Sequence, residues 1–318
     1  MSSLVAIVGP TASGKSALAL FLAERLGGEI VNYDSLQLYR HFDMGTAKPS
    51  EEDRRRVPHH LLDVLEPAEV YSAGEYARQA AGVIRGILER GRLPVLAGGT
   101  GFYLRALLQG LFAGPQRDEQ LRRRLRERAR ARPSGYLHRL LRRLDPASAA
   151  RIHANDAPKL IRAIEVSLRA RRPMSALFRE TRGQSALAGV HALKVGLDPP
   201  RRLLYERINH RAARMFEAGL VEEVRGILAS GVAPQAKPFE SVGYKEALAV
   251  VQQRIAPAEA IEATQLRTRH YAKRQMTWFR RERDVHWLHA FGDDPAARQA
   301  ALDWLLGELR VKVPLPKV

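Results

Sequence analysis

A glycine-rich segment close to the start of the sequence has the composition and spacing of an anion-binding loop. Its residues are Gly9, Pro10, Thr11, Ala12, Ser13, Gly14, Lys15 and Ser16, which read G-x-x-x-x-G-K-S. An apolar run, residues 4–8, precedes it and a helix-like stretch, residues 17–26, follows. Backbone N–H groups and a helix N-terminus would then converge on one anion, with the Lys15 ammonium at the outer phosphate and the Ser16 hydroxyl available to Mg2+. An ordinary strand, turn and helix is the alternative, but the spacing favours a diphosphate or triphosphate site.

Polar residues also follow two other predicted strands, where the carboxyl ends of parallel strands would bring them beside this loop. They are residues 34–37 (DSLQ) after strand 29–32, and residues 98–100 (GGT) after strand 93–97. Asp34 could serve as a metal ligand or a general base, or it could simply cap a turn. Thr100 follows two glycines that allow close backbone approach, so its hydroxyl is a candidate partner for a phosphate oxygen as well as a candidate N-cap.

Two predicted helices in the last third of the sequence carry basic side chains at helical spacing. Arg207 and Arg211 lie four residues apart on the first of these helices, so they could grip a phosphate together or form a solvated pair. The second helix has basic residues on one stripe and aromatic residues between them, namely Arg267, His270, Arg274 and Arg281, and Tyr271, Trp278 and Phe279. We expect these aromatic side chains to pack in the core and the basic stripe to face RNA or an active-site channel.

The charge of the chain is strongly positive and unevenly distributed. The 318 residues contain 52 Lys and Arg against 34 Asp and Glu, a formal net charge of +18. Residues 117–182, the basic block, contain 18 Arg and one Lys against seven Asp and Glu, a local net charge of +12. The basic block could be a solvated helix face, but it favours a surface that binds the phosphate backbone of a nucleic acid, which Arg can grip bidentately.

The composition excludes several classes of protein. The chain has no cysteine, which rules out disulfides, thiolate catalysis and cysteine-ligated zinc. No run of 18 residues is apolar and free of charge, so we expect no membrane-spanning segment and no membrane partner. A predicted strand begins within a few residues of Met1, which leaves no room for a signal peptide, and we therefore expect a cytoplasmic protein.

The succession of strand and helix signals predicts an α/β core interrupted by a helical insertion. Predicted strands are 4–8, 29–32, 93–97, 191–197 and 285–288, and predicted helices are 17–26, 72–91, 102–109, 201–218, 220–230, 257–281 and 295–309. This alternation indicates a doubly wound parallel sheet like that of the P-loop NTPases, with sites at the carboxyl ends of the strands. The core would comprise residues 1–113 and 191–318, and the basic, all-helical insertion residues 114–190.

Motif and charge together indicate a phosphate-loop enzyme that acts on a nucleic acid. A phosphate-loop small-molecule kinase and a nucleic-acid-dependent NTPase without group transfer are the alternatives. The basic block weighs against the kinase, and the lack of an apolar run ending in Asp-Glu weighs against a helicase-like NTPase. Nucleotide hydrolysis in the absence of an acceptor would favour one of these alternatives.

Eight short strings occur in an order that resembles one enzyme family. They are residues 9–16 (GPTASGKS), 34–39 (DSLQLY), 43–49 (DMGTAKP), 58–63 (PHHLLD), 98–103 (GGTGFY), 155–156 (ND), 242–244 (VGY) and 272–279 (AKRQMTWF). Together they resemble the bacterial tRNA dimethylallyltransferases, also called tRNA isopentenyltransferases or IPP transferases. The resemblance covers about residues 4–290, and the GTAKP and KRQ-x-TW strings are specific to that family.

The resemblance implies transfer of a dimethylallyl group from dimethylallyl diphosphate to N6 of the adenine at tRNA position 37, next to the anticodon. Diphosphate would be the leaving group, and Lys15, Arg211, Mg2+ on Ser16 and the Thr100 hydroxyl would stabilise its growing charge. Asp34 would accept or orient the N6 proton as the amine attacks. Asp34, Thr100 and Arg211 are thus the expected catalytic residues, and Mg2+ is the expected cofactor.

The same resemblance implies contacts between this chain and the tRNA anticodon stem-loop. The expected contact residues are Asp34, Ser35, Leu36, Gln37, Thr100, Arg122, Pro158, Lys159, Leu160, Ile161, Arg162, Glu240, Ser241, Val242, Gly243, Tyr244 and Lys245. Many family members have an Arg where this chain has Lys159, which preserves the charge but not a bidentate contact. The basic block would clamp the stem-loop, and we expect the enzyme to be a monomer.

Overall fold

A computed structural model describes residues 2–111, 114–180 and 185–312, and its centre is a six-stranded parallel sheet. The strands are β1 (Ser3–Val8), β2 (Gly28–Asn32), β3 (His59–His60), β4 (Leu93–Ala97), β5 (His191–Leu197) and β6 (Val285–Leu288). Their order across the sheet is β3-β2-β4-β1-β5-β6, and all of these neighbours pair in parallel. The sheet and its flanking helices confirm the predicted α/β fold class.

Helices connect the strands and form most of the remaining described structure. The α-helices are α1 (Lys15–Leu26), α2 (Glu51–Arg56), α3 (Ala73–Glu89), α4 (Gly101–Gln109), α5 (Glu119–Arg130), α6 (Tyr136–Leu144), α7 (Pro146–Ala149), α8 (Ala157–Ala170), α9 (Met174–Glu180), α10 (Arg201–Glu217), α11 (Leu220–Ala229), α12 (Tyr244–Val251), α13 (Pro257–Phe279) and α14 (Pro295–Lys312). A 3-10 helix covers Lys237–Glu240. Among the described residues, none of these helices combines the length and the apolar character that crossing a membrane requires.

The central strands are apolar because both faces of the sheet are covered. All six residues of β1 are buried. Side chains from β1, α1 and β5 pack into one core, which includes Val5, Ile7, Leu18, Leu22 and Val195. Continuous apolar runs of this kind are typical of parallel strands. The bounds of β4, β5 and β6 agree with those predicted from the sequence. The two-residue β3 has no such run and is not predicted.

The order of the strands decides which loops meet. The strands β2, β4 and β1 are consecutive neighbours in the sheet. The segments that follow them therefore leave the sheet at the same edge: the segment beginning at Asp34 after β2, residues 98–100 after β4, and the glycine-rich loop after β1. The polar residues that the sequence places after separate strands are thereby brought to one side of the molecule's sheet.

The sequence patterns do not predict α12, which follows a glycine with no side chain to cap the helix. Gly243 precedes the helix with φ +94, in the left-handed region that favours glycine. Its N–H donates a 2.7 Å hydrogen bond to the buried carboxylate of Glu246. A helix of eight residues with this beginning has too few turns to give a clear periodic signal.

The contacts divide the chain into two compact units, residues 1–108 with 187–318, and residues 109–186. We call them the core unit and the helical unit. The described part of the helical unit contains α5 to α9, which enclose a core of its own: Leu125, Leu137, Leu141, Leu160 and Ile164. Two predicted features, the domain boundary at Ala113 and Arg182 at the end of the basic block, lie outside the described residues.

Candidate active site

The glycine-rich loop between β1 and α1 forms a tight turn that opens toward a cavity. Gly14, directly before α1, has φ +88, and Ala12 has φ +63. Both lie in the left-handed region, which glycine adopts readily and alanine only at a cost. Gly9 has φ +147, and a Cβ there would lie 2.8 Å from the carbonyl oxygen of Leu197. The cavity in front of the loop is lined by Thr11, Ala12, Gly14, Lys15 and Ser16.

Lys15 is the buried cation of this cavity. Its Nζ donates a 2.7 Å hydrogen bond to the carbonyl oxygen of Pro10. Burial lowers the pKa of Lys15 to about 7; the charge of Asp34 opposes this shift and that of Arg211 adds to it. A bound anion would favour the ammonium form and raise the pKa again. The loop can therefore acquire a full positive charge when a phosphate arrives.

Asp34 lies just past the carboxyl end of β2, where local hydrogen bonds hold it. Its N–H donates to Asn32 Oδ1 (2.8 Å), and its own Oδ1 accepts from the N–H of Leu36 (3.0 Å). Burial raises the pKa of the Asp34 carboxyl, while the Leu36 N–H and the Lys15 ammonium offset part of the increase. A carboxylate with a raised pKa accepts a proton more readily than an exposed one, so this environment suits a general base.

Gln275 and Tyr271 on α13 connect the glycine-rich loop to the segment after β4. The Gln275 side chain accepts a 2.7 Å hydrogen bond from the N–H of Thr11 and donates one of 2.9 Å to the carbonyl oxygen of Gly99. The Tyr271 hydroxyl donates a longer bond, 3.3 Å, to the same oxygen. A Cβ on Gly99 would lie 2.7 Å from Asp34 Oδ2. Only glycine therefore allows the three segments to approach this closely.

Gln275 and Tyr271 are site residues that the sequence analysis does not assign. Both line the cavity in front of the glycine-rich loop, although the sequence predicts Tyr271 in the core and gives Gln275 no role. Gln275 and Thr11 are 264 positions apart, a separation over which residue spacing carries no information. The available signal is the presence of Gln275 within the family-specific string 272–279. Phe279 is fully buried, in agreement with the prediction for the aromatic residues of this helix.

Arg211 and Arg207, one helical turn apart on α10, have different partners. Arg211 is partly buried and lines the same cavity as Lys15 and Asp34. Burial lowers its pKa, and the charge of Asp34 opposes that shift. Arg207 instead forms a two-pronged ion pair with Asp293, with distances of 2.8 and 2.9 Å. The solvated pair considered from the sequence is not found, because Asp293 binds the guanidinium of Arg207 and Arg211 lines the cavity; a joint grip on a phosphate stays a prediction.

Two adjoining cavities of the core unit meet at Asp34. The smaller, of about 130 Å³, contains Lys15 and the loop, and the larger has a volume of about 490 Å³. Both are lined by Thr11, Ala12, Asp34, Thr46, Arg211 and Tyr271. The larger cavity is also lined by the predicted contact residues Ser35, Leu36, Glu240, Ser241, Val242 and Gly243, and by the tyrosines Tyr39, Tyr71 and Tyr103. Lys245, the last predicted contact of this group, is exposed on α12.

Tyr244 holds the segment 43–49 at the rim of the larger cavity. Its hydroxyl accepts a 3.1 Å hydrogen bond from the N–H of Gly45 and donates to the carboxylate of Glu223. The other Glu223 oxygen accepts from the N–H of Met44 (2.9 Å). Tyr244 is fully buried, so its side chain supports the cavity wall and has no free surface for RNA.

Gln37 and Thr100 are also engaged by neighbouring protein groups. The Gln37 amide donates to the carbonyl oxygens of Thr46 (3.1 Å) and Ala47 (3.2 Å), which fixes the segment 43–49 from a second side. The Thr100 hydroxyl accepts from the N–H of Ser35 (2.9 Å) and donates to its Oγ (3.1 Å). Thr100 is not among the residues that line either cavity, and its contact with phosphate stays a prediction.

In the helical unit, two arginines that are predicted tRNA contacts bind a buried carboxylate. Glu165 is fully buried and accepts hydrogen bonds from the guanidinium groups of Arg122 (2.9 and 2.7 Å) and Arg162 (2.7 Å). Burial acts to raise the pKa of Glu165, but the bonds from Arg122, Arg162 and the N–H of Asp118 outweigh it and hold the pKa below its usual value. These arginines therefore have a structural partner whether or not RNA is bound.

The remaining predicted contacts of the helical unit lie in the first turns of α8. Leu160 and Ile161 are buried in the core of the unit, so their side chains face inward. Pro158 and Lys159 are exposed, and Lys159 pairs with Asp156, the residue that caps the helix (2.5 Å). Pro158 and Lys159 are thus the members of this group whose side chains can reach RNA.

The residues at the start of α1 fit a magnesium ion that is bound mainly through phosphate. Ser16 is exposed and lines the smaller cavity together with Asp34. No group of three or more His, Cys, Asp or Glu side chains is arranged as a metal site within residues 2–111, 114–180 and 185–312. Mg2+ in phosphate sites takes one or two protein ligands and keeps several waters. The Ser16 hydroxyl therefore suits such an ion as its protein ligand.

Comparison of the sequence with known proteins gives matches along nearly its whole length. A family model described as IPP transferase matches residues 37–282, and one described as isopentenyl transferase matches residues 2–66. The tRNA dimethylallyltransferase of Solibacter usitatus is 59% identical over 300 residues, which cover 94% of this chain and 97% of the relative. That of Koribacter versatilis is 55% identical over 293 residues, or 92% of this chain and 94% of the relative.

Solved structures give a matching fold. The full-length tRNA isopentenylpyrophosphate transferase of Bacillus halodurans aligns with a TM-score of 0.71 at 35% identity, covering 98% of each chain. A eukaryotic dimethylallyltransferase, described as acting on tRNA, aligns with a TM-score of 0.79 at 23% identity and covers 100% of this chain and 81% of that one. At that level of identity, the second comparison shows the likeness of the fold alone.

Proposed function

The chain belongs to the IPP transferase family, and we propose that it transfers a dimethylallyl group from dimethylallyl diphosphate to N6 of the adenine at tRNA position 37. The observation that carries this proposal is the position of Asp34, a carboxylate at the junction of a cation-lined cavity and a larger one. The first cavity is lined by Lys15 and Arg211, whose charges suit a diphosphate, and the second, of about 490 Å³, has room for a nucleobase.

The diphosphate would bind at the N-terminus of α1. This cavity is lined by the loop, whose backbone N–H groups can donate to an anion, and by Lys15 and Arg211, whose side chains are cationic. As the allylic C–O bond breaks, its electron pair stays on the diphosphate oxygen, and these groups stabilise the added charge. When bound, Mg2+ held by Ser16 and the diphosphate would supply further neutralisation of that charge.

Asp34 would take the proton that the adenine amine must lose. The N6 nitrogen attacks the allylic carbon, a C–N bond forms as the C–O bond breaks, and one N6 proton passes to the Asp34 carboxylate. The raised pKa of Asp34 favours this transfer. Because N6 is a poor nucleophile, its alignment with the allylic carbon is expected to contribute more to the rate than the proton transfer does.

The tRNA would present its base to the larger cavity. An adenine within a stacked anticodon loop must turn out of the stack before its N6 can reach a partly buried carboxylate. Tyr39, Tyr71 and Tyr103 line that cavity, and Tyr71, which is only partly buried, supports the proposal because its ring offers a replacement stacking surface. The exposed arginines of the helical unit are suited to bind the phosphates of the stem.

The two alternative functions have less support. A small-molecule kinase or a nucleic-acid-dependent NTPase would share the glycine-rich loop, but not a 59% identity with a tRNA dimethylallyltransferase across nearly the whole chain. The family membership therefore favours a prenyltransferase over both.

The test is incubation of the protein with dimethylallyl diphosphate, Mg2+ and bulk tRNA, followed by digestion to nucleosides and mass analysis. We expect a prenylated adenosine that requires both substrates and is strongly reduced with Asp34→Asn. A parallel incubation with ATP and no acceptor should give no turnover. ATP hydrolysis without any prenylated adenosine would contradict the proposal and favour an NTPase.

A further inference from the structure

A turn between β6 and α14 packs against the back of the glycine-rich loop. We call its residues 291–293 (Phe-Gly-Asp) the brace. The N–H of Gly292 donates a 2.8 Å hydrogen bond to the carbonyl oxygen of Ser13. A Cβ on Gly292 would lie 2.5 Å from the carbonyl oxygen of Gly14, and one on Gly14 would lie 2.8 Å from the Gly292 nitrogen. The two backbones are therefore in direct contact, which glycine at both positions permits.

Arg207 fastens the brace to α10. Its guanidinium forms two hydrogen bonds with the Asp293 carboxylate, 2.8 and 2.9 Å, and lies 4.0 Å from the centroid of the Phe291 ring. The hydrogen bonds from Arg207 hold the pKa of Asp293 below its usual range. The two side chains are 40% and 41% exposed, so water can solvate either charge in the absence of its partner. What distinguishes the pair is its place behind the loop.

The loop needs support because parts of its backbone are unfavourable in isolation. Ala12 and Gly14 both have positive φ, and such conformations persist when surrounding contacts over-determine them. Gln275 holds the N–H of Thr11 from α13, and the brace holds Ser13 and Gly14 from the opposite end of the loop. Arg211 follows Arg207 by one turn of α10. The helix α10 therefore carries both Arg211, which lines the anion cavity, and Arg207, which pairs with the brace.

We propose that Arg207 and Asp293 are a positioning pair that holds the glycine-rich loop in its diphosphate-binding conformation through the brace. The inference rests on the proposed function in one respect, that the loop binds a diphosphate. The brace lies outside the residues that match the family models, 2–66 and 37–282.

One substitution separates positioning from simple electrostatics by the sign of its effect. Asp293→Asn removes a negative charge near the anion site, so electrostatics alone predicts tighter diphosphate binding. Positioning predicts weaker binding, because the loop loses its ionic fastening while the side chain keeps its shape. Arg207→Met weakens binding by either route, so Asp293→Asn is the decisive variant.

The experiment is calorimetric titration of each full-length variant with inorganic diphosphate in the presence of Mg2+. We expect the Kd of Asp293→Asn to rise about three- to tenfold, whereas Arg202→Met should stay within about twofold of the parent. Arg202 is a matched control because it lies on the same helix in an exposed ion pair with Glu206. In the transfer assay, Asp293→Asn should raise the KM for dimethylallyl diphosphate and leave the KM for tRNA unchanged.

A charge-swapped variant, Arg207→Asp with Asp293→Arg, should recover part of the lost affinity, since it can rebuild the pair. Diphosphate binding by Asp293→Asn that equals or exceeds the parent's would overturn the positioning role, and so would a variant that loses only thermal stability. A parent protein that fails to bind diphosphate would refute the proposed function and the role of the brace together. A parent that binds diphosphate and an Asp293→Asn variant that binds it equally well would refute the role of the brace alone.

Discussion

Asp34 combines a carboxylate, a partly buried position and a place between two cavities. Its neighbours include Lys15 and Arg211 on one side and tyrosine-lined space on the other. Burial raises its pKa, although the adjacent cations and N–H groups keep it from rising further. The carboxylate is therefore a stronger base than an exposed aspartate and is better suited to accept a proton.

Substitution of this carboxylate by an amide should remove the base and leave the shape of the site. We predict that Asp34→Asn slows the chemical step by about two to four orders of magnitude, the usual range for a lost general base, while tRNA affinity changes little. Single-turnover rates with saturating substrates measure this step. Rates that stay within about tenfold of the parent's would show that Asp34 is not the base.

Lys15 should give diphosphate binding a pH dependence. In the free protein its ammonium loses a proton as the pH rises through about 7, whereas a diphosphate is best bound by the charged form. Above that pH, binding must be accompanied by proton uptake at Lys15, so the affinity falls as the pH rises. The matched control is Lys15→Arg, whose guanidinium stays charged throughout.

Calorimetry in buffers of different ionisation enthalpy, at about pH 8, measures the protons exchanged on binding. Subtracting the result for Lys15→Arg removes the contribution of the diphosphate's own ionisation. We expect the parent to take up more protons than Lys15→Arg. Equal exchange by the two proteins would mean that Lys15 is already charged before the anion binds.

At this scale, the residues that the sequence predicts best are those within a local motif. The loop 9–16 can be recognised in the sequence because its glycines, lysine and serine have a fixed spacing along one turn. Gln275 and Glu223 could not be predicted in the same way, since each acts on a segment far away in the sequence, Thr11 and Met44 respectively. Tyr244 was predicted as a tRNA contact, but its side chain is buried behind that segment.

Individual helices divide their charged residues between internal partners and solvent. On α5, Arg122 binds Glu165 and Arg126 binds Glu119 (3.0 Å). Arg124 and Arg128 are exposed, and in the described part of the chain no ion pair involves them. Because they lie four residues apart, they share one face of the helix.

This division predicts which arginines of the basic block bind tRNA phosphates. Arg124→Gln with Arg128→Gln should flatten the dependence of log Kd on log salt by about one unit for each lost contact. The matched control, Arg126→Gln, should change the slope less because Arg126 is paired with Glu119. Transfer at saturating tRNA should be nearly unaffected. Slopes that are the same for all variants would mean that this face of α5 is only solvated.

The elements themselves were predicted where their signals are local. The bounds of β4, β5 and β6 agree with the predicted ones, and the side chains of Ser72 and Glu75, three residues apart, form a reciprocal cap in front of α3. The helix α12 is not predicted because it has only eight residues and because Gly243, which precedes it, has no side chain that could cap the helix.

At the scale of the whole molecule, the sequence predicts a parallel sheet but not the order of its strands. That order places three loops at one edge, and α10 and α13 then add Arg211, Tyr271 and Gln275 from the other end of the chain. Residue spacing cannot reveal such a meeting, because it results from packing between distant segments. The resemblance to a family indicates Arg211 as a site residue, whereas the structure is needed to find Tyr271 and Gln275.

Dimethylallyl transfer with diphosphate as the leaving group differs from phosphoryl transfer in which bond breaks. A donor labelled in the dimethylallyl carbons and, separately, in the terminal phosphate distinguishes the two in one incubation with tRNA and Mg2+. We predict that the carbon label enters adenosine of the tRNA while the phosphate label is released as inorganic diphosphate, in equal amounts. Phosphate label in the RNA, or release of diphosphate without carbon label in adenosine, would contradict a transferase that uses its glycine-rich loop to hold a leaving group.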